Sequence, residues 1–186
     1  MELDEAVTKA RGGDVRAFEL LYADVAPRLL RFLTARVGDE APDVASETWL
    51  QVTRDLGRFR GDADDFRGWV VGIGRHRALD HLRARGRRPS DAWDPSLLPE
   101  GQVTDAAEDA EQAIATRRAL ALIATLPADQ AEAVLLRVVV GLDAPAAAKV
   151  LGKRAGAVRM ATSRGLARLA QVLEEQGVTH PGPTAL

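Results

Sequence analysis

The sequence contains no cysteine, which excludes disulfides, thiolate metal sites and cysteine redox sensing within the chain and suits a reducing compartment. Aromatic residues are scarce at 4%, so any core must be built from Leu, Val and Ala with a few Trp and Phe. Only three histidines are present, and His76 and His81, five positions apart, do not share a helix face closely and make poor metal ligands. Strand patterning is missing too, because almost no stretch alternates apolar with polar residues. No apolar run approaches the roughly 20 residues of a membrane span. The first residues, Met1-Glu2-Leu3-Asp4-Glu5, are acidic where a secretory leader would be basic. These absences lead us to expect a soluble cytoplasmic protein with no direct membrane insertion. Without a nucleophile-and-base pairing or a ligand cluster, we expect no enzyme activity, no metal, no cofactor and no small-molecule substrate.

Charge of one sign is lacking only in the total. The formal net charge is −2, yet residues 1–50 sum to −4, 51–90 to +5, 91–116 to −7 and 117–186 to +4. Arg75 to Arg88 carries six Arg against the single acid Asp80, and Lys153 to Arg168 carries five cations and no acid. Between them, Ser90 to Thr116 holds seven carboxylates and no Lys or Arg. Two surfaces able to neutralise phosphates and release their counterions are therefore separated by an acidic segment. At 186 residues the chain could form one ordinary domain or two small ones, and this polar middle favours two.

Helical spacing dominates, in a composition rich in Ala, Leu, Arg and Glu. A first helix covers about Leu3 to Arg11 and stops at Gly12-Gly13. Asp14 is a natural N-cap for a helix carrying Phe18, Leu21 and Tyr22. Pro27 starts or kinks the next helix, which carries Leu29, Leu30, Phe32 and Leu33 to about Val37. A third begins near Pro42-Asp43, with Val44, Thr48 and Val52 recurring every fourth position. The loop Phe59-Arg-Gly-Asp-Ala-Asp-Asp65 precedes a long helix from about Phe66 to Arg85. Gly72 and Gly74 lie inside it at a cost of roughly 1 kcal/mol each relative to Ala, which marks close packing or a bend. The fragment Gly68 to Gly74 is no phosphate loop, since no strand precedes it. Helical periodicity resumes near Glu108 and runs to Leu126-Pro127, then from Asp129 to about Val140, where Gly141 closes it. The tail from Gln176 should fray.

Residues 142–170 read as a helix-turn-helix: Asp143 caps a short helix, Gly152 makes the turn and Ala155 opens the second helix. Val158, Thr162, Leu166 and Leu169 would point inward, leaving Arg154, Arg159, Ser163, Arg164 and Arg168 outward. Arg154 and Arg159, near the helix start, suit base edges, while Arg164 and Arg168 suit phosphates. A solvated basic face on a helical bundle is the plainer alternative.

The preceding phrase, Leu126-Pro-Ala-Asp-Gln-Ala-Glu-Ala-Val-Leu-Leu-Arg137, together with this helix-turn-helix, resembles the C-terminal domain of bacterial sigma factors. Asp43-Val-Ala-Ser-Glu-Thr-Trp-Leu50, Arg58-Phe-Arg-Gly-Asp62, Phe66-Arg-Gly-Trp69 and Arg75-His-Arg-Ala-Leu-Asp-His-Leu-Arg83 resemble the sigma-two domain of the extracytoplasmic-function (ECF) class of the sigma-70 family. The likeness runs over roughly residues 10–173. It implies an all-α fold: a sigma-two-like bundle over 1–88, an acidic flexible linker over 89–107, a sigma-four-like helix-turn-helix domain over 108–175 and a tail over 176–186.

The resemblance also implies roles. Asp43, Glu47, Leu50 and Gln51 would dock on core RNA polymerase, with Trp49 either an aromatic anchor or a core residue. The loop Arg60 to Phe66 would capture a base flipped from the minus-ten promoter element, and the helix Arg75 to Arg83 would lie against that element. The residues implied there are Arg60, Asp62, Phe66, Arg75, His76, Arg77, Asp80 and Arg83, with Asp80 alternatively a structural ion-pair partner. Lys153, Arg154, Arg159, Ser163, Arg164 and Arg168 would meet the minus-35 element. An arginine-rich surface beside a base pocket can offset the few kcal/mol per step of unstacking a duplex. The linker would imitate nucleic acid in the RNA exit path or act as a plain tether. Core polymerase, promoter DNA and a masking anti-sigma factor are the implied partners. The sequence departs from the family wording at Ser46, Asp64-Asp65, Gly72, Gly74, Ala147, Met160 and Ala161, which bears on promoter sequence and minus-35 affinity. The function implied is an alternative sigma that directs polymerase to promoters and assists strand opening. An autonomous helix-turn-helix regulator is the competing reading, weakened by the lack of a dimerisation heptad.

Overall fold

The computed structural model describes residues 1–86 and 110–175, and every described element is helical or a turn. The expected linker over 89–107 and the tail over 176–186 lie outside these residues. In the first unit α1 (Leu3–Arg11) lies against α2 (Val15–Val37), which packs with α3 (Ala41–Asp55) and α4 (Ala63–Ala84). The second unit comprises α5 (Ala110–Ala124), α6 (Ala128–Val134) running on into a π-helical turn (Leu135–Val139), α7 (Ala144–Leu151) and α8 (Ala155–Glu175).

Local chemistry sets several boundaries. Asp14 caps α2 by accepting from the Ala17 amide at 3.0 Å, and Asp143 caps α7 by accepting from the Ala146 amide at 2.7 Å. Gly152, at φ 63°, ends α7 in the left-handed region that makes the turn of the helix-turn-helix. Two expectations about boundaries need correction. Pro27 does not start a helix, since α2 runs through it. The ring removes one amide hydrogen from the ladder, and Arg28 Nε donates to the Asp24 carbonyl in the same turn at 3.1 Å. The long helix begins at Ala63 rather than Phe66, because Asp62 caps it by accepting from the Asp65 amide at 2.8 Å.

Phe32, Phe66, Leu21, Leu29, Leu33 and Leu82 form the fully buried centre of the first unit. Burying each such side chain is worth about 1.5–3 kcal/mol relative to exposure. Gly74 belongs to this packing: a Cβ there would stand 2.6 Å from Leu29 Cδ1. Gly72 meets nothing within 4 Å, so close approach explains one glycine of the pair and not the other. In the second unit α8 lies closely on α6 at Gly165, where a Cβ would come within 2.8 Å of Val134 Cγ2. Of the expected inward set, Val158 is buried, Leu169 packs against the core and Thr162 is half-buried, but Leu166 is 43% exposed and Gly165 faces α6 instead.

The two units touch, and buried apolar residues form one continuous cluster across both. Gly68 of α4 faces Ala146 and Leu142 of the second unit, where a Cβ would find ordinary contacts at 3.9 and 4.0 Å. Among the described residues no helix is long and apolar enough to cross a membrane, and no group of three or more His, Cys, Asp or Glu could hold a metal ion.

Candidate polymerase and nucleic-acid interfaces

Along α8 the residues fall onto two faces. Val158 and Gly165 are buried against the second unit, while Arg159, Ser163, Arg164 and Arg168 are exposed, as are Lys153 and Arg154 in the turn before it. The Gly152 turn joins α7 to α8, and the cations are spread over the exposed side of α8 opposite Val158 and Gly165. Such a ridge can meet phosphate oxygens on its length and base edges at its start.

The second cationic surface lies on α4 and the loop before it. Phe59, Phe66 and Trp69 pack together there: Phe59 stacks on Trp69 with centroids 4.9 Å apart and meets Phe66 edge-on at 5.6 Å. Arg60 bends back over the loop, its Nη1 donating to the Phe59 carbonyl at 2.7 Å and the Gly57 carbonyl at 3.2 Å. Gly61 sits at φ 147°, and a Cβ there would collide with Asp65 Cβ at 2.6 Å, so the tight loop demands glycine. His76, Asp80 and Arg83 are exposed, and Asp80 pairs with Arg83 at 3.0 Å. His81 turns away from this surface onto Glu40, whose carboxylate also takes Arg85.

Phe66 requires a correction. It is 0% exposed in the core, so it cannot offer its face to an extruded base and instead supports the loop from beneath. Asp62 is exposed, but its carboxylate already serves as the α4 cap. Trp69, to which the motif alone gives no separate role, lines an open cleft with Phe59, Arg60, Arg75, His76 and Arg77.

On α3, Asp43, Glu47 and Leu50 are exposed, Leu50 by 58%, whereas Gln51 is half-buried. Trp49 is 9% exposed and packs on Tyr22 and Phe18 with centroids 4.6 and 6.0 Å away, which makes it a core residue. The α3 and α4 faces are joined: Arg77 donates to Gln51 and pairs with Glu47 at 3.3 Å.

The cleft, about 1090 Å³ in volume, is walled on its far side by Ala146, Lys149, Val150, Leu151 and Gly152 of the helix-turn-helix. Glu132 of α6 closes the adjoining contact, accepting from Arg36 Nη1 at 2.8 Å and from Arg75 Nε at 2.6 Å. Burial holds the Arg36 guanidinium below its ordinary value; the Glu132 carboxylate opposes that shift and the nearby Arg75 charge adds to it. Lys149 pairs with Asp65 at 3.0 Å, a hydrogen bond that raises the ammonium above its usual value. Arg28 Nη1 donates to the Val140 carbonyl at 3.1 Å. Sequence reasoning missed Arg36, Glu132 and Lys149 as a group. The available signal was an arginine inside the apolar run Phe32 to Val37 and a carboxylate inside the Ala-rich α6.

Comparison with known proteins gives the class. The family model for Sigma-70 region 2 matches residues 21–88, and that for Sigma-70, region 4 matches residues 116–169. The chain thus belongs to the sigma-70 family. ECF RNA polymerase sigma factor SigD of Mycobacterium tuberculosis is 37% identical over 175 residues, covering 90% of this chain and 82% of that protein. ECF RNA polymerase sigma factor ShbA of Streptomyces griseus is 34% identical over 179 residues, covering 91% and 94%. Within the family the chain is an ECF sigma factor, an alternative initiation factor that directs RNA polymerase, which sets aside the autonomous-regulator reading. The fold is shared with CnrH, solved in complex with the cytosolic domain of CnrY, at a TM-score of 0.66 and 24% identity over 94% of this chain and 99% of that one. It is shared also with RpoE of Bartonella quintana, solved with the anti-sigma factor NepR, at a TM-score of 0.63 and 22% identity over 86% and 98%.

Proposed function

We propose that this chain binds core RNA polymerase through the exposed face of α3, with Asp43, Glu47 and Leu50 in contact and Gln51 at its edge. In this reading the loop from Arg60 to Asp62, with Arg75, His76, Arg77, Asp80 and Arg83 of α4, meets the minus-ten element and holds the opened strand. Lys153, Arg154, Arg159, Ser163, Arg164 and Arg168 meet the minus-35 element. The first unit spans 1–88 and the second 108–175, joined by the acidic linker 89–107. The protein acts in the cytoplasm as an initiation factor without catalysis of its own, and an anti-sigma factor masks it.

The observation that carries the reading is the division of labour in charge. One helix in each unit displays cations outward while its opposite face is buried, so two promoter elements can be held at once. The relatives named above and the fold shared with anti-sigma complexes support it. The test is transcription in vitro with purified core polymerase and a genomic promoter library. Promoter-specific transcripts are expected only when the chain is present; identical transcripts without it would overturn the assignment.

A further inference from the structure

We propose that Asp4 of α1 is a positioning residue for strand opening: its carboxylate fixes the point where the loop from Arg60 to Asp62 turns into α4, and so holds that loop ready for the parted DNA strand. The inference deepens the reading above and rests on it for the role of the loop.

Three observations carry it. Asp4 Oδ1 accepts from the Ala63 amide at 2.9 Å, across 59 positions of sequence. Ala63 is the first residue of α4, and the first amides of a helix have no partner inside it. Asp62 takes one of them, the Asp65 amide, from within the loop, and Asp4 takes another from outside. The start of α4 therefore has two caps, one belonging to the loop and one to a different helix.

Second, the outside cap stands on a firm base. Ala6, Val7 and Ala10 of α1 are buried, and α1 lies against α2, against α4 and against the 3-10 turn Leu56–Arg58. That turn runs directly into Phe59, so α1 borders the loop at its entry as well as at its exit. The neighbouring carboxylate, Glu5, is engaged locally by Lys9 at 2.7 Å. Of the two acids in the first turn of α1, Asp4 is the one that reaches the loop.

Third, the loop's own bonds shape it without fixing its exit. Arg60 donates to the Gly57 and Phe59 carbonyls, a few residues back, and Gly61 at φ 147° allows the tight approach to Asp65. Phe59 anchors the entry by packing on Phe66 and Trp69. At the exit, the bond from Asp4 ties the chain to α1. A loop already held in its working shape meets its ligand without first being ordered, so removing the hold lowers the competent fraction and the apparent affinity together.

The test uses the full-length chain with core polymerase on a promoter that it transcribes. Asp4→Ala removes the acceptor, whereas Asp4→Asn keeps an amide oxygen there and loses only the charge. Permanganate reactivity of minus-ten thymines should fall by about fivefold in Asp4→Ala, the worth of one hydrogen bond, and return close to wild type in Asp4→Asn. Co-elution with core polymerase and the minus-35 footprint should stay unchanged in both. In the free chain, hydrogen exchange at the Ala63 amide should quicken by a similar factor in Asp4→Ala alone. Glu2→Ala, at an exposed position whose side chain makes no capping bond to α1, controls for disturbance of that helix and should match wild type. Ala63→Pro deletes the donor at the first helical position, where proline is accepted, and leaves Asp4 in place. It should reproduce the opening defect, and it serves should Asp4→Ala lose its helical circular dichroism. Wild-type thymine reactivity in Asp4→Ala, or a defect in Asp4→Asn or Glu2→Ala as large as that of Asp4→Ala, would overturn the positioning role. A wild-type chain that yields no promoter-specific transcript would instead sink the function proposed above, while normal transcription that is indifferent to Asp4 would leave that function standing.

Discussion

Arg77 of α4 directs Nε and Nη2 onto the single amide oxygen of Gln51 on α3, at 3.3 and 3.0 Å. Its Nη1 reaches Glu47 at 3.3 Å, so one guanidinium spans the helix assigned to polymerase and the helix assigned to DNA. A change at Arg77 itself should therefore be felt on both surfaces.

Glu47→Arg is the sharpest test of the α3 assignment. Glu47 is exposed, so the fold should survive with a stability change within about 0.5 kcal/mol, while association with core polymerase is lost. Size-exclusion chromatography of the mixture, beside circular dichroism of the variant, checks both halves. Co-elution like that of the wild type would remove the assignment.

The cations of the helix-turn-helix should divide by role. Replacing Arg154 and Arg159 with Ala should erase upstream promoter selectivity in a footprint, at about 1–3 kcal/mol for each base-edge interaction removed. Replacing Arg164 and Arg168 should instead weaken all sequences alike and flatten the salt dependence by about 0.9 for each phosphate no longer neutralised. A salt titration of holoenzyme on matched and scrambled promoters distinguishes them, and equal behaviour of the two pairs would count against the division.

His76 is exposed beside the cleft that Trp69 and Phe59 line. Its replacement by Ala should reduce permanganate reactivity of thymines in the minus-ten region while leaving core association intact. Wild-type reactivity would take His76 out of strand opening.

The two helical glycines of α4 should respond in opposite senses. Gly74→Ala would drive a methyl into Leu29 Cδ1, 2.6 Å away in a fully packed core, and should cost about 1–3 kcal/mol in urea unfolding. Gly72→Ala meets open space and should stabilise by up to about 1 kcal/mol through helix propensity. Parallel effects would contradict the packing described.

Elements with local signatures are legible in the sequence. Asp14 and Asp143 as caps, Gly152 as the turn and the period of Val44, Thr48 and Val52 depend on neighbours within a few positions, and each stands where the pattern puts it. Sequence and structure part where packing overrides local preference. Pro27 sits inside α2 because the flanking core residues Val25 and Leu29 hold the helix through it. Val158 and Leu169 of α8 lie inward as expected, but Leu166 does not: a leucine is the stronger apolar signal, yet close approach to α6 puts Gly165 there instead. The motif alone points Phe66 toward DNA, while its burial under Phe59 and Trp69 depends on the folded loop. The triad of Arg36, Arg75 and Glu132 is invisible for a simpler reason: its members lie as many as 96 positions apart, and no local rule connects them.

Helix α6 is buried from Gln130 to Val134: α8 packs on one of its sides, and from it Glu132 reaches Arg36 and Arg75 of the first unit. A saturating substitution scan should therefore find it among the least forgiving stretches of the chain. Changes to the side under α8 should appear as lost protein, and so should replacement of Glu132 by an apolar residue, which removes the carboxylate that Arg36 and Arg75 share.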